Sequence, residues 1–309
     1  MGIFNLFSRP SNAKSIERIR KITGMSQEEF DKIVSVDDAG AYYAKNALLF
    51  ASELNTSQYQ VKEGTQLIQR SAFWDSNVKN VTLPGSVRTI EVYAFDGAKE
   101  LTEVNIPNGV REIKEGTFQG CESLQSISLP KSCASIAKKA FDGCKSLKKV
   151  DINKIVSCDV ADNAEKKEVG NYAFNDCKSL KTVELAEGVT TIGEYAFKEC
   201  EALTSVKLPS TLETIQQGAF WDCSSLSELD IPKSVNDIQM SSMPSGLKTV
   251  VLHSATMHIA KLAFIKCENI EKIIVPKGSA ENYKEIFSKT IGPIKIKLSK
   301  GENIIEESS

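Results

Sequence analysis

The sequence has few of the residues that carry most enzymatic and metal chemistry. It contains only two histidines, His253 and His258, and two tryptophans. Neither histidine has cysteine or clustered carboxylate partners at ligand spacing, so the sequence predicts no metal site there. Glycine-rich phosphate loops and the His-Glu-x-x-His, Cys-x-x-Cys and nucleophile-elbow motifs are also missing. We therefore expect a protein that is not an enzyme and uses no cofactor.

The sequence also lacks a charge excess and a long apolar run. Its 38 Lys and Arg residues alternate with 40 Asp and Glu residues, which argues against a nucleic-acid partner. No stretch approaches the roughly 20 apolar residues of a transmembrane helix. The apolar patch in residues 3–7 is too short for the core of a secretory signal. These features favour a cytoplasmic location, with the cell surface or secretion by an unrecognised route as the alternative.

A repeated unit dominates what the sequence does contain. A motif of about 23 residues recurs nine times between Ile68 and Pro276. Phenylalanine heads a short turn in eight copies and Met243 in the ninth, and an Ile or Val lies five residues earlier in every copy. Such units cannot bury an apolar face alone and do so by stacking, so the period predicts a solenoid.

The cysteines follow the same period. Six of the eight fall three residues after the Phe of a repeat, where other copies have Ser76, Ala98 or Gly246. A position that exchanges among small residues is a tight buried site, in which a free thiol packs as a small hydrophobe. We therefore predict reduced packing thiols rather than a disulfide ladder, which favours a reducing compartment.

The end of each repeat alternates apolar and polar residues and closes with proline, as in Ile127-Ser-Leu129-Pro130. This period predicts a short core-facing strand, and stacked copies form a parallel sheet. We call the outward-facing positions the strand row: Asn80, Thr82, Glu103, Asn105, Ser126, Ser128, Lys149, Asp151, Thr182, Glu184, Ser205, Lys207, Glu228, Asp230, Thr249, Val251, Lys272 and Ile274. The row is polar, mixed in sign and without aromatic residues.

The sequence before the repeats predicts three helices. The first carries Ile16, Ile19 and Ile22, and the second begins at a capping box formed by Ser26 and Glu29. The third is predicted within residues 39–54. The predicted domains are residues 1–57 as a helical N-terminal cap, 58–277 as repeats, 278–298 as a C-terminal helix and strand cap, and 299–309 as a flexible tail. A separate partner-binding helical domain is the alternative for the first segment.

The repeat framework resembles a known family. The pattern Ile-x-x-x-Ala-Phe-x-x-Cys-x-x-Leu-x-x-Ile-x-Leu-Pro is similar to the BspA-type, or Treponema pallidum-type, leucine-rich repeat (LRR_5), over roughly residues 65–277. The segment from Val275 to Lys284 resembles the closing segment of that family, in which a helix follows the last repeat; Ile294, Ile296 and Leu298 could add an edge strand. The resemblance implies an α+β solenoid, a curved stack used for binding, often on the surfaces of host-associated bacteria and some protists.

Three features are candidates for partner contact. The charged members of the strand row are Glu103, Lys149, Asp151, Glu184, Lys207, Glu228 and Asp230. Trp74 and Trp221 follow the Phe of their repeats at a slot that is polar in most copies, so they are candidate surface anchors. About ten residues are inserted within Asn153 to Glu168, as either a contact loop or a tolerated one.

Together these patterns predict a non-enzymatic scaffold that binds another protein. A cell-surface or secreted adhesion protein is the alternative. A glycan-binding module is a third hypothesis, which the lack of aromatic residues in the strand row disfavours.

Overall fold

A computed structural model describes residues 10–133, 135–150, 168–290 and 304–307. The described residues form two walls of short parallel strands, a β-hairpin and three helices. The helices are α1 (Pro10–Thr23), α2 (Gln27–Ile33) and α3 (Ala280–Ser288). None of these helices is long and apolar enough to cross a membrane.

The hairpin strands are β1 (Val34–Val36) and β2 (Tyr42–Ala44). The isoleucine wall contains β3 (Ala47–Phe50), β5 (Leu67–Ile68), β7 (Thr89–Ile90), β9 (Glu112–Ile113), β11 (Ser135–Ile136), β13 (Glu168–Val169), β15 (Thr191–Ile192), β17 (Thr214–Ile215), β19 (Asp237–Ile238) and β21 (His258–Ile259). The strand-row wall contains β4 (Gln58–Gln60), β6 (Asn80–Thr82), β8 (Glu103–Val104), β10 (Ser126–Ile127), β12 (Lys149–Val150), β14 (Thr182–Glu184), β16 (Ser205–Lys207), β18 (Glu228–Ile231), β20 (Thr249–Leu252), β22 (Lys272–Val275) and β23 (Ile304–Glu306).

Each turn of the solenoid, called a coil from here on, contributes one strand to each wall. Equivalent residues of successive coils lie side by side. In the isoleucine wall Ile113 pairs with Ile136 and Ile136 with Val169, and in the other wall Val183 pairs with Val206, always in parallel. Because the side chains of a strand alternate between faces, this register sends every repeat's apolar positions into the same core. The predicted solenoid of short parallel strands is confirmed.

A column of phenylalanine rings fills the centre of the stack. Rings from Phe73 to Phe220 lie 4.6–5.5 Å apart between neighbouring coils, with interplanar angles of 0–16°. Both ends of the phenylalanine series meet an edge-on ring: Tyr59 packs against Phe73, and Phe287 packs against Phe264. Edge-on contacts of this kind are favourable for aromatic pairs, and they close the column because each end ring meets its Phe with an edge rather than a face.

The N-terminal segment confirms two helices of the predicted cap and corrects the third. Helix α1 ends at Thr23, just before Gly24, whose φ is 73°, and Ser26 and Glu29 form the capping box of α2. The predicted third helix is wrong, because its residues form β2 and β3. A short apolar run fits a buried strand as well as a helix. Strand β3 pairs in parallel with β5, Leu48 beside Ile68, and so adds one coil position before the nine repeats of the sequence pattern.

The C-terminal cap contains the predicted helix and a strand outside its predicted position. Tyr283 and Phe287 of α3 are fully buried against the last repeats. Strand β23 lies within the range predicted as a flexible tail, 299–309, and pairs in parallel with β22. Pairing satisfies the outer edge of β22, which would otherwise leave main-chain groups open. The predicted strand at Ile294, Ile296 and Leu298 lies outside the described residues.

Candidate functional site

The strand row forms one exposed surface along the strand-row wall. The described row side chains point outward because the strands turn the intervening residue inward, as in β14, where Val183 is buried between exposed Thr182 and Glu184. Pairing keeps the row in register: Lys149 lies beside Thr182, which lies beside Ser205. The candidates Glu103, Lys149 and Glu228 are exposed, whereas Asp151 lies outside the described residues.

Two of the predicted row residues form an ion pair. Lys207 Nζ lies 2.6 Å from Glu184 Oε1, and their side chains are 73% and 45% exposed. The hydrogen bond and charge of Glu184 raise the pKa of the Lys207 ammonium. At this exposure water and salt screen the attraction, so the pair contributes little to stability. The pair therefore shapes the charge of the surface more than it stabilises the fold.

A histidine links Asp230 of the row to Glu307, the residue after β23. His253 Nε2 lies 2.7 Å from Asp230 Oδ1, and its Nδ1 lies 2.8 Å from Glu307 Oε1, just after β23. The predicted contact residue Asp230 thus already has an intramolecular partner. The sequence carried a signal for this contact, since His253 occupies a slot that is proline in most repeats.

A polar groove of about 470 Å³ lies at the N-terminal end of the row. Its lining residues are Gln58, Tyr59, Gln60, Asn80, Val81, Thr82, Glu103 and Asn105. The Asn105 amide bonds to both the N–H and the C=O of Leu83, which extends the pairing where β8 has ended. Sequence reasoning missed Gln58 and Gln60, because their coil lacks the Phe motif and the repeat pattern begins after it.

Trp74 lies against the N-terminal cap. Its side chain is 39% exposed, and the Arg18 guanidinium from α1 lies 3.8 Å from its ring centroid and 5.8 Å from that of Phe50. Burial lowers the pKa of Arg18, and the charges of Asp75 and Asp96 oppose that shift. A guanidinium stacked on an aromatic ring in this way makes a cation–π interaction, so the predicted anchor contacts α1.

Trp221 lies in a different coil and does not meet Trp74. Its side chain is half-buried, with Lys266 Nζ 5.3 Å from the ring centroid. The two tryptophans therefore belong to separate surfaces. Most of the predicted insertion, including Cys158, lies outside the described residues; only its last residue, Glu168, is placed, as the first residue of β13.

The described cysteines are free and buried, which confirms the predicted packing thiols. Each regular one donates its S–H to a main-chain carbonyl of the preceding coil: Cys200 Sγ lies 3.2 Å from Phe174 O, and Cys223 Sγ lies 3.0 Å from Phe197 O. Burial raises the pKa of the Cys200 thiol well above its ordinary value. A protonated thiol is a poor nucleophile, so Cys200 has a packing role rather than a reactive one.

The fold and its repeated interior define a leucine-rich-repeat solenoid. Residues 66–162 and 167–292 match the BspA type leucine rich repeat region in six copies, and the chain belongs to this family. A leucine-rich repeat protein from Bacteroides ovatus is similar in structure, with a TM-score of 0.55 and 23% identity over 79% of this chain and 70% of that one. Another from Eubacterium ventriosum has a TM-score of 0.51 and 25% identity over 70% and 50% of the two chains. No curated protein matches the chain.

Proposed function

We propose that this protein is a non-enzymatic scaffold that binds a protein partner through the strand row. The observation that carries the proposal is the contrast within one wall. Its main chain is held in regular register from coil to coil, while the outward side chains differ in charge and size at each coil. A rigid array of different polar groups suits recognition of an extended protein surface. Membership of a family whose members are typically scaffolds supports the same function.

The charges of the row suggest how it would recognise a partner. Glu103 lies near the N-terminal end, Lys149 in the middle, the Glu184–Lys207 pair next, and Glu228 and Asp230 toward the C-terminal end. A partner with complementary charges along its length would bind in one direction and register only. Because exposed pairs contribute little individually, the row would set specificity and association rate more than affinity.

A charge-reversal variant tests the strand row. The variant carries Lys149→Glu, Glu184→Lys, Lys207→Glu and Glu228→Lys, which leaves the net charge unchanged. The matched control carries Glu112→Lys, Lys138→Glu, Glu194→Lys and Lys261→Glu, four exposed positions on or beside the isoleucine wall. Native chain, variant and control are crosslinked in the source cell and recovered with their partners.

We expect the native chain and the control to recover the same protein and the strand-row variant to lose it. Equal recovery by all three would contradict the assignment of the site to the row. Recovery of a glycan instead of a protein would favour the glycan-binding hypothesis.

We also propose that the protein works in the cytoplasm, and the free thiols of the core support a reducing compartment. Protease treatment of intact cells tests this location. Protection of the chain until lysis is the expected result. Digestion on intact cells would favour the adhesion alternative.

A further inference from the structure

The four outer edges of the two walls are not closed in the same way. The hairpin strand β2 pairs with β3 and closes the N-terminal edge of the isoleucine wall, and the added strand β23 closes the C-terminal edge of the strand-row wall. Helix α3 packs over the last coil, where Tyr283 Oη donates to Ser254 O. The other two edges have no added strand: β21 pairs only with β19 and β4 only with β6, and no described strand lies on the outer side of either.

The hydrogen bonds between β4 and β6 show which main-chain groups of β4 face away from the sheet. Ser57 O accepts from Asn80 N, and Val61 N donates to Thr82 O, so the odd-numbered residues face β6. Because a strand alternates, the N–H and C=O of Gln58 and Gln60 face outward. The Thr56 hydroxyl bonds to both main-chain groups of Gln58. Those of Gln60 have no partner among the described residues, and the next outward N–H, that of Lys62, donates to Tyr43 Oη.

Gln60 therefore offers one donor and one acceptor side by side at an exposed edge. In a parallel pair, one residue forms two hydrogen bonds of this kind with the residues on either side of its partner. Beside this edge lies the polar groove, where the side chains of Gln58, Gln60 and Thr82 are exposed. Side-chain amides both donate and accept, which matches the peptide groups and polar side chains of an extended segment.

The opposite edge of the strand-row wall already carries an added strand. At its other end Ile304–Glu306 pairs in parallel with β22, although this segment returns from well beyond the last repeat. Three residues of extended chain, with the added bonds from Glu307 N to Val275 O and from Ala280 N to Glu306 Oε1, hold that position. A strand added to this wall is thus a geometry that the protein already uses.

We propose that the open edge of β4 binds an extended peptide segment of a partner protein as an added strand, through the main chain of Gln60 and the side chains of Gln58 and Gln60. This inference rests on the proposed function as a protein-binding scaffold and specifies one part of its contact. Strand addition takes affinity from main-chain hydrogen bonds and specificity from alternate side chains. The repeats suggest the pattern of the segment: polar, apolar, polar, as in Gln58-Tyr59-Gln60 and Asn80-Val81-Thr82.

A displayed library of random linear dodecapeptides, selected on the full chain, tests the proposal, and the best peptide is then made by synthesis. Two substitutions at one position separate main chain from side chain. Gln60→Pro removes the outward N–H without removing a bond to β6, and proline is tolerated on strand edges. Gln60→Ala keeps the N–H. We expect Gln60→Pro to weaken peptide binding about tenfold or more, while Gln60→Ala changes it less than about threefold.

Amide hydrogen exchange gives a second readout that needs no variant. Peptide at saturation should slow exchange of the Gln60 N–H about tenfold or more, whereas buried amides of the stack should not change. Failure to select a peptide, equal binding to Gln60→Pro, or an unprotected Gln60 amide would each overturn the proposal. If the partner recovered in cells binds Gln60→Pro normally but not the strand-row variant, the scaffold function stands and strand addition is wrong.

Discussion

The central column and the strand row repeat at the same interval but differ in how much they vary. In the column every regular coil contributes a buried Phe, a small residue and an apolar wall residue. In the row, equivalent positions hold Glu103, Ser126, Lys149, Thr182 and Ser205 on the same backbone. Stacking requires identical shapes in the interior, because each ring packs on the one before it, but it places no such demand on groups that face water. The interior therefore defines the fold, and the side chains of the row are free to vary, as the proposed binding surface requires.

The largest expected effect comes from a charge placed in the column. Cys200→Asp removes the S–H bond to Phe174 O and buries a carboxylate, so it should destabilise the protein by more than about 3 kcal/mol. Ala196→Asp should act similarly, because Ala196 is also fully buried. Urea unfolding followed by circular dichroism measures the loss. Cys200→Ser keeps a donor and should lose far less; an equal loss would contradict the role of the bond.

The pH dependence of Cys200→Asp sharpens the same test. Burial raises the pKa of an introduced carboxyl above its unfolded value, so the folded state binds the proton more tightly. The destabilisation should therefore be smaller at acid pH and should grow as pH rises from the unfolded toward the folded pKa. Comparing urea midpoints with the native chain at each pH isolates this group. A destabilisation that does not change with pH would show that the introduced carboxyl is not buried.

A smaller loss of stability is expected from a substitution in the turn that follows β17. A Cβ on Gly218 would lie 2.3 Å from Tyr195 Cε1, and Tyr195 stacks on Tyr172 at 5.1 Å. Gly218→Ala should cost about 1–3 kcal/mol by displacing that ring. The neighbouring coil holds Ser241 at the equivalent position with a φ of 57°, so backbone conformation alone is a minor part of the cost. In a Tyr195→Ser background, which has no ring to displace, Gly218→Ala should cost much less in thermal unfolding; an equal cost in both backgrounds would place the strain elsewhere.

The N-terminal cap should respond locally. Arg18→Ala removes the guanidinium from Trp74 and should weaken α1 docking by about 1 kcal/mol. In a Trp221→Phe background, the fluorescence of Trp74 should change, and amide exchange should rise in α1 but not in the central coils. Lys21→Ala, at an exposed position of the same helix, is the matched control. Uniform exchange changes through the stack would contradict a local cap.

The smallest effect is expected in the strand row. Lys207→Ala removes the exposed ion pair with Glu184 and should leave the urea midpoint almost unchanged. Added salt should shrink even this difference. Urea midpoints of native chain and variant at low and high salt measure it. A loss comparable to that of Cys200→Asp would mean that the faces of the strands are reversed.

Much of this architecture could be predicted, because the residues that fill the interior recur at a constant spacing in the sequence. The Phe, Ile and Cys spacings fixed the stack, the strand faces and the free thiols. The elements that differ are those that occur once. The β2–β3 segment has no repeat to align with, and its tyrosines and leucines fit a helix as well as a strand. Strand β23 needs the edge of β22, which is distant in sequence, to define it.

The candidate site was predictable only in part. Alternation placed the strand row correctly on the surface, but it could not show that Asp230 bonds His253 or that Arg18 covers the Trp74 ring. Those contacts join segments far apart in the chain, so they depend on the completed fold. The groove beside Gln60 was missed for a related reason: its coil completes the stack without carrying the Phe motif.

One measurement tests the separation of interior and row most directly. The four-residue strand-row reversal is compared with the native chain for its urea midpoint and its recovery of the crosslinked partner, on the same preparation. The account predicts an unchanged midpoint and a lost partner. A lowered midpoint, or a partner recovered in full, would contradict the claim that the interior holds the fold while the strand row binds the partner.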